Sequence, residues 1–270
     1  MNEIPSILRE IVERKREEVA YLKSRSSYED ISRIARDCSP SRDFYSAISK
    51  ENRDSLNLIA EIKKSSPSKG DIRPNSDHVR IAQIYEEGNV DAISILTDEG
   101  FKGKIRYLRE IRNTTKLPLL RKDFIIDEIQ IPESKIYGAD AILLISAILD
   151  ENQLKEYREI AESFGLQALV ESHNEEELEK AIKSKAKIYG INNRNLNNFV
   201  TNIQTTINLT GHVPKGYPIV TESGIRVYED VKKLMLPNIT AMLVGESIMS
   251  QKLNPTEQDM KRKIYELKRR

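Results

Sequence analysis

The 270-residue sequence predicts a (β/α)8 barrel carrying an N-terminal helical extension, and three observations lead there. Short apolar runs recur at regular intervals from position 57 to position 245. Amphipathic stretches with helical spacing lie between them, so strands and helices alternate as they do around a parallel barrel. No Gly-rich dinucleotide fingerprint follows the first run, and no composition break marks a crossover, which counts against a doubly wound sheet.

Residues 1–50 read as the extension. Ile7, Leu8, Ile11, Val19 and Leu22 form an apolar stripe among charged residues, the mark of a helix that packs on one side. Tyr28 to Arg36 and Ser41 to Ile48 read as two further helical pieces, separated by Pro40. This segment has too few apolar residues for a core of its own, so the whole chain, 1–270, is expected to be one barrel domain, with the first helix packed on its own barrel.

The eight strands are expected at Asn57 to Lys63, Asp91 to Thr97, Leu117 to Asp123, Ala139 to Ile145, Leu166 to Glu171, Ile188 to Asn193, Tyr217 to Glu222 and Ala241 to Gly245. Most are apolar throughout, as suits parallel strands covered on both faces. Helices are expected at Val79 to Glu87, Ile105 to Arg112, Asn152 to Ser163, Glu175 to Lys183 and Tyr228 to Leu236. Ser76-Asp77, Asp150 and Asn174 with Glu177 supply start signals. The basic tail from Lys261 to Arg270 reads as the exposed face of a last helix.

Lys and Arg (43) nearly balance Asp and Glu (42), which gives no electrostatic case for a nucleic-acid or membrane-surface partner. The single cysteine, Cys38, excludes an internal disulfide and favours a reducing compartment. No apolar run is long enough for a spanning helix, and Met1 to Arg16 lacks a signal-peptide core. A cytoplasmic protein is expected, monomeric, with a small phosphorylated molecule as its partner. The three histidines, His78, His173 and His212, have no ligand-like spacing and read as ordinary surface or loop residues; no metal is expected.

In a (β/α)8 barrel the active site lies at the C-terminal ends of the strands. The first strand runs into Ala60 to Gly70, AEIKKSSPSKG. Alternation places Glu61 and Lys63 on one face, either as a structural ion pair or as an acid/base pair. Further polar groups close the other strands: Lys122 after the third, Glu171 after the fifth, Asn193 and Arg194 after the sixth, Glu222 and Ser223 after the seventh, Glu246 after the eighth. A solvated rim explains any one of these but poorly explains six strand ends together. Lys63 and Lys122 are candidate acids or Schiff-base amines, and Glu61 and Glu171 candidate bases expected to be kept ionised by the lysines. Asn193 and Ser223 suit hydroxyl or carboxylate recognition, and Arg194 suits a carboxylate clamp or a surface ion pair. Ser223-Gly224 and Gly245-Glu246, small residues before helix-forming segments, point to a phosphate.

At these residues the chain resembles the indole-3-glycerol phosphate synthase family. The resemblance is carried in order by AEIKKSSPSKG, SILTD, LLRKDFI, ADAILLI, LVESHNEEEL, GINNRNL, VTESGI and MLVGESIM. It implies a lyase that closes a pyrrole ring on 1-(2-carboxyphenylamino)-1-deoxyribulose 5-phosphate, with loss of CO2 and then water, and no cofactor. It also implies Lys122 as acid on the ketone oxygen, Glu61 and Glu171 as bases or electrostatic partners, and Lys63 on the substrate carboxylate. Asn193 and Ser223 would orient the substrate, with Arg194 supporting the carboxylate. Ser66, Gly224, Gly245 and Glu246 would surround the phosphate, and Phe101, Phe124, Leu143 and Leu196 the aromatic ring. Ser66-Pro67-Ser68 would cover the substrate, with Lys64 and Lys69 as surface charges. The segment after the second strand, Glu99 to Lys104, departs from the family pattern. A Schiff-base aldolase or isomerase and a non-catalytic phosphate-binding barrel are the alternative readings.

Overall fold

The computed structural model describes residues 5–50, 54–66, 70–73, 75–249 and 256–269. Eight parallel strands close into a barrel: β1 (Asn57–Ile62), β2 (Ala92–Leu96), β3 (Leu119–Lys122), β4 (Ala141–Ile145), β5 (Gln167–Ser172), β6 (Ile188–Asn192), β7 (Ile219–Glu222) and β8 (Ile239–Val244). Each pairs with its sequence neighbour, and β1 closes the ring against β8, with Asn57 opposite Ala241 and Ala60 opposite Val244. All eight expected strands are present. Their ends move by one or two residues, because the charged residues that close several apolar runs already lie beyond the ladder.

Alternation along the strands builds two apolar layers. Ile59, Leu120, Ala141, Leu143, Leu169, Val220 and Leu243 point into the barrel. Leu58, Ala60, Ile93, Ile142, Val170 and Met242 point outward against the helices. The helices that follow the strands include α4 (His78–Glu87), α5 (Arg106–Arg112), α6 (Gln130–Ile136), α7 (Glu151–Ser163), α8 (Glu175–Lys183), α9 (Gln204–Thr210), α10 (Tyr228–Leu234), α11 (Glu246–Met249) and α12 (Glu257–Lys268). The expected start signals are real caps: Asp77 accepts from Val79 and Arg80 N–H, Asp150 closes a capping box with Gln153, and Asn174 accepts from Glu177 N–H. Each satisfies donors that the first helical turn leaves without partners.

The extension forms α1 (Ser6–Arg25), α2 (Tyr28–Arg36) and α3 (Phe44–Ser49). α3 starts later than the expected Ser41, since Asp43 is its cap and accepts from Ser46 N–H. Its Phe44 and Ile48 are fully buried and join the inner layer of the barrel. α1 packs by Leu8, Ile11 and Val19, as its apolar stripe requires. It is held from the middle by Lys15, only 2% exposed, whose Nζ lies 2.9 Å from both Asp98 and Asp123. Asp123 also accepts from Thr97 (2.6 Å) and pairs with Arg121 (3.0 Å). Burial opposes charge here, but Arg121 and Lys15 hold the Asp123 carboxyl well below the usual range. The N-terminal helix is thereby tied to the strand end next to Lys122.

Candidate active site

The C-terminal ends of the strands enclose a cavity of about 180 Å³. Its charged wall follows from strand parity. Glu61, Lys122, Glu171 and Glu222 each stand two residues beyond an inward apolar residue (Ile59, Leu120, Leu169, Val220) and so also face inward. Alternation in a strand leaves no other direction for them. Lys122 Nζ lies 2.8 Å from Glu171 Oε2 and 3.3 Å from Glu222 Oε2. Lys63 Nζ lies 2.7 Å from Glu61 Oε1. These four inward residues and Lys63 therefore form two lysine–glutamate pairs with Glu222 beside them.

Burial works against the Lys122 ammonium, but Glu171, Glu222 and Glu61 outweigh it and hold its pKa above the ordinary lysine range. Burial would likewise raise Glu171, but the Lys122 charge, followed by His173, carries it below the ordinary carboxylate range. Glu222 goes the other way. Its burial, together with the Glu171 charge, outweighs Lys122 and pushes it up to about 8. Of two neighbouring carboxylates one is ionised and the other keeps a proton near neutrality, the pattern that separates base from acid. Glu222 is thus a site residue to which the sequence reading assigned no role. Its parity with Val220 was the signal that could have found it.

Two glycines make room for these carboxylates. A Cβ at Gly190 would sit 2.6 Å from Glu222 Oε1, and one at Gly245 would sit 2.8 Å from Glu61 Oε1. Close approach of a side chain to backbone is what glycine permits here.

The opposite wall is apolar. Phe101 and Phe124 stack with centroids 6.0 Å apart, and Leu143 and Leu196 lie on the same lining. Helix α1 adds Ile7, Leu8 and Ile11, which the sequence reading did not place in the site. They come from a segment far away in sequence, and only the docking of α1 brings them there. Ser223 and Gly224 adopt left-handed φ values of +68° and +80°, a conformation that costs energy in a serine. With Gly245 and Glu246 they line one end of the cavity. Arg194 is on the lining too, with Nη2 3.4 Å from Glu246 Oε2. Among the expected phosphate contacts, the Ser66 side chain lies outside the described residues, as do Pro67 and Ser68 of the expected cover and the expected surface charge Lys69.

Asn193 does not join the site. Its parity is outward, and it is buried between β6, β7 and α9. Its amide donates to Thr221 (3.1 Å) and to the Ser223 carbonyl (3.0 Å), and its oxygen accepts from the Thr206 hydroxyl (2.8 Å). Asn192, opposite Glu222 in the β6–β7 register, faces the cavity in its place. Two histidines differ from the surface reading. His173 is nearly buried, with its ring nitrogens facing Glu171 and Glu177. His78 contacts Glu110 and stacks on Tyr107, while His212 is half exposed. Lys64 is half-buried over the Tyr107 ring rather than a free surface charge. Among the described residues no cluster of histidine, cysteine and carboxylates could hold a metal, and no helix is long and apolar enough to cross a membrane.

The family model described as indole-3-glycerol phosphate synthase matches residues 8–264. A protein of that name from Desulforamulus reducens is 43% identical over 263 residues, covering 97% of this chain and 96% of the relative. Another, from Desulfotalea psychrophila, is 46% identical over 244 residues, 90% of this chain and 93% of the relative. A third, from Caldanaerobacter subterraneus, is 47% identical with the same coverage. Among solved structures, a chain of the tryptophan synthase complex from Pyrococcus furiosus superposes with a TM-score of 0.59 at 17% identity, covering 79% of this chain and 98% of that one. That likeness is one of fold.

Proposed function

The chain belongs to the indole-3-glycerol phosphate synthase family, and on that premise we propose which side chains carry each proton transfer. It is a carboxy-lyase of tryptophan biosynthesis. It joins the substrate ketone carbon to the ring carbon bearing the carboxylate of 1-(2-carboxyphenylamino)-1-deoxyribulose 5-phosphate, releases CO2 and eliminates water.

The observation that carries the assignment is the Lys122 ammonium, buried and held between Glu171 and Glu222. Lys122 protonates the ketone oxygen as the carbon–carbon bond forms. Ring closure leaves an iminium, which the surrounding carboxylates stabilise in a water-poor site where such fields act strongly. When CO2 leaves, its bonding electron pair returns to the ring and neutralises the iminium. Glu222, 3.3 Å from Lys122 and holding a proton near neutrality, reloads the amine. The Lys63–Glu61 pair serves the dehydration: Lys63, which also holds the substrate carboxylate, protonates the departing hydroxyl, and Glu61 takes the ring hydrogen. Asn192 and Ser223 orient the sugar chain.

The aromatic ring lies against Phe101, Phe124, Leu143 and Leu196. The phosphate lies at Ser223, Gly224, Gly245 and Glu246, where a left-handed turn and a helical start present backbone N–H groups. A raised Lys122 pKa favours an acid over an amine nucleophile, so borohydride should trap no lysine adduct.

The test is a fluorescence assay of product formation. The wild-type protein should make indole-3-glycerol phosphate, and Lys122→Met should lower kcat by about 10²–10⁴-fold, the range for loss of a general acid. Tight substrate binding by the wild-type protein without product would overturn the reading.

A further inference from the structure

We propose that His173 is a positioning residue that, together with Lys122, keeps Glu171 ionised and leaves the proton on Glu222. The proposal rests on the lyase reading above. Each turnover of that reaction takes two proton donations, to the ketone oxygen and to the departing hydroxyl, and returns one, from the ring carbon. One proton is therefore drawn from solvent per product. A site that must be reloaded each cycle needs one carboxylate that keeps a proton and a neighbour that does not.

Lys122 donates a hydrogen bond to Glu171 at 2.8 Å and only approaches Glu222, at 3.3 Å. His173 adds to that bias. Its Nε2 lies 3.5 Å from Glu171 Oε1, the oxygen that Lys122 does not take. Glu171 thus stands between Lys122 and His173, and among the described residues Glu222 has only the more distant approach of Lys122. The imidazole is fixed from behind: Nδ1 lies 3.0 Å from Glu177 Oε2, and that same oxygen accepts the His173 backbone N–H at 2.8 Å. Glu177 is itself held by the Asn174 amide at 2.8 Å.

The ring is nine-tenths buried, with no hydrogen bond at Nε2 among the described residues. The groups that face it are Glu171 on β5, Glu177 on α8 and, further off, Glu222 on β7. Lys180, Glu176 and Arg194 stand with it on the wall of a second, polar cavity of about 700 Å³ behind the site. Burial disfavours the imidazolium, but the carboxylates outweigh it and raise its pKa. A cation placed there keeps Glu171 ionised, and the proton stays on Glu222.

The experiment compares pH profiles of kcat for the wild type and His173→Asn. Asparagine retains an N–H for Glu177 and removes both the charge and the arm facing Glu171. Without the cation the Glu171 pKa rises, so the acid limb should move up by about one pH unit, with KM changed less than about twofold. His173→Lys, which restores a cation, should move the limb back. An unshifted limb in His173→Asn, from a wild type that makes product, would overturn the proposal without touching the lyase reading. Should His173→Asn fail to fold, NMR titration of ¹⁵N-histidine in Glu171→Gln decides independently of activity. The His173 pKa should fall there, and an unchanged value would overturn the proposal.

Discussion

Lys15 Nζ lies 2.9 Å from Asp123 Oδ1, and through that contact the N-terminal helix is attached to the residue next to Lys122. Both side chains are 2% exposed. An ion pair of this kind is costly to break because the partner left behind stays buried and charged.

Lys15→Met should therefore lower stability by about 3–5 kcal/mol in urea unfolding. The pH dependence has a definite sign. Asp123 has a lowered folded pKa, so its contribution is present above the unfolded value near ~3.9 and fades as pH falls through the folded one. Lys15 has a raised pKa, so its contribution is present below ~10.4 and fades at still higher pH. The difference between variant and wild type should be largest across the neutral range and shrink in strong acid. A loss of the size expected for an exposed pair, at every pH, would contradict this account.

The close approach of Gly190 to Glu222 and of Gly245 to Glu61 predicts a catalytic lesion. In Gly190→Ala and Gly245→Ala the new methyl must displace a carboxylate oxygen that would lie 2.6 or 2.8 Å away. Displacement of a catalytic group by about 1 Å costs on the order of 10²-fold in rate. Both variants should keep a cooperative melt and lose kcat; full activity in either would show that the carboxylate it crowds has no placement to lose.

Glu222 predicts an alkaline limb. Its pKa, pushed up to about 8, means that the reloading proton is lost as pH rises through that value, and kcat falls with it. Glu222→Gln should be slower at neutral pH and lack that limb. Stability follows the same proton. The folded state retains it up to about 8, while the unfolded chain releases it near ~4.3. This group's contribution is therefore whole below ~4.3 and is lost progressively as pH climbs between those values. Glu222→Gln should flatten that decline, which melting temperatures across pH 4–9 would reveal.

Asn192 and Asn193 should separate function from stability. Asn193→Ala removes a buried amide that holds Thr206, Thr221 and the Ser223 carbonyl. Buried partners left without hydrogen bonds cost about 1–3 kcal/mol. Asn192→Ala faces the cavity and should leave stability within ~0.5 kcal/mol while lowering kcat/KM. The reverse pattern would place the wrong asparagine in the site.

How much of this was legible beforehand depends on the range of the interaction. Strand order, strand ends and helix caps rest on local signals. The apolar runs, Asp77, Asp150 and Asn174 act within a few residues of themselves, so local pattern is enough to specify the barrel, its extension and which residues stand at the strand ends. Glu61, Lys63, Lys122, Glu171 and Ser223 are expected at strand ends on this basis, and all five line the cavity. Asn192 rather than the expected Asn193 faces the cavity, because parity past a strand end depends on where the ladder stops. The rest comes from contacts between elements far apart in the chain. Whether a carboxylate is a base or an acid depends on which charges close around it: Lys122 from β3 approaches both Glu171 and Glu222, and His173 stands against Glu171. The docking of α1, which brings Ile7, Leu8 and Ile11 to the cavity and Lys15 to Asp123, is a contact over about a hundred residues of chain. Nothing in the local pattern encodes such a distance, since electrostatic and packing energies depend on separation in space, not along the sequence.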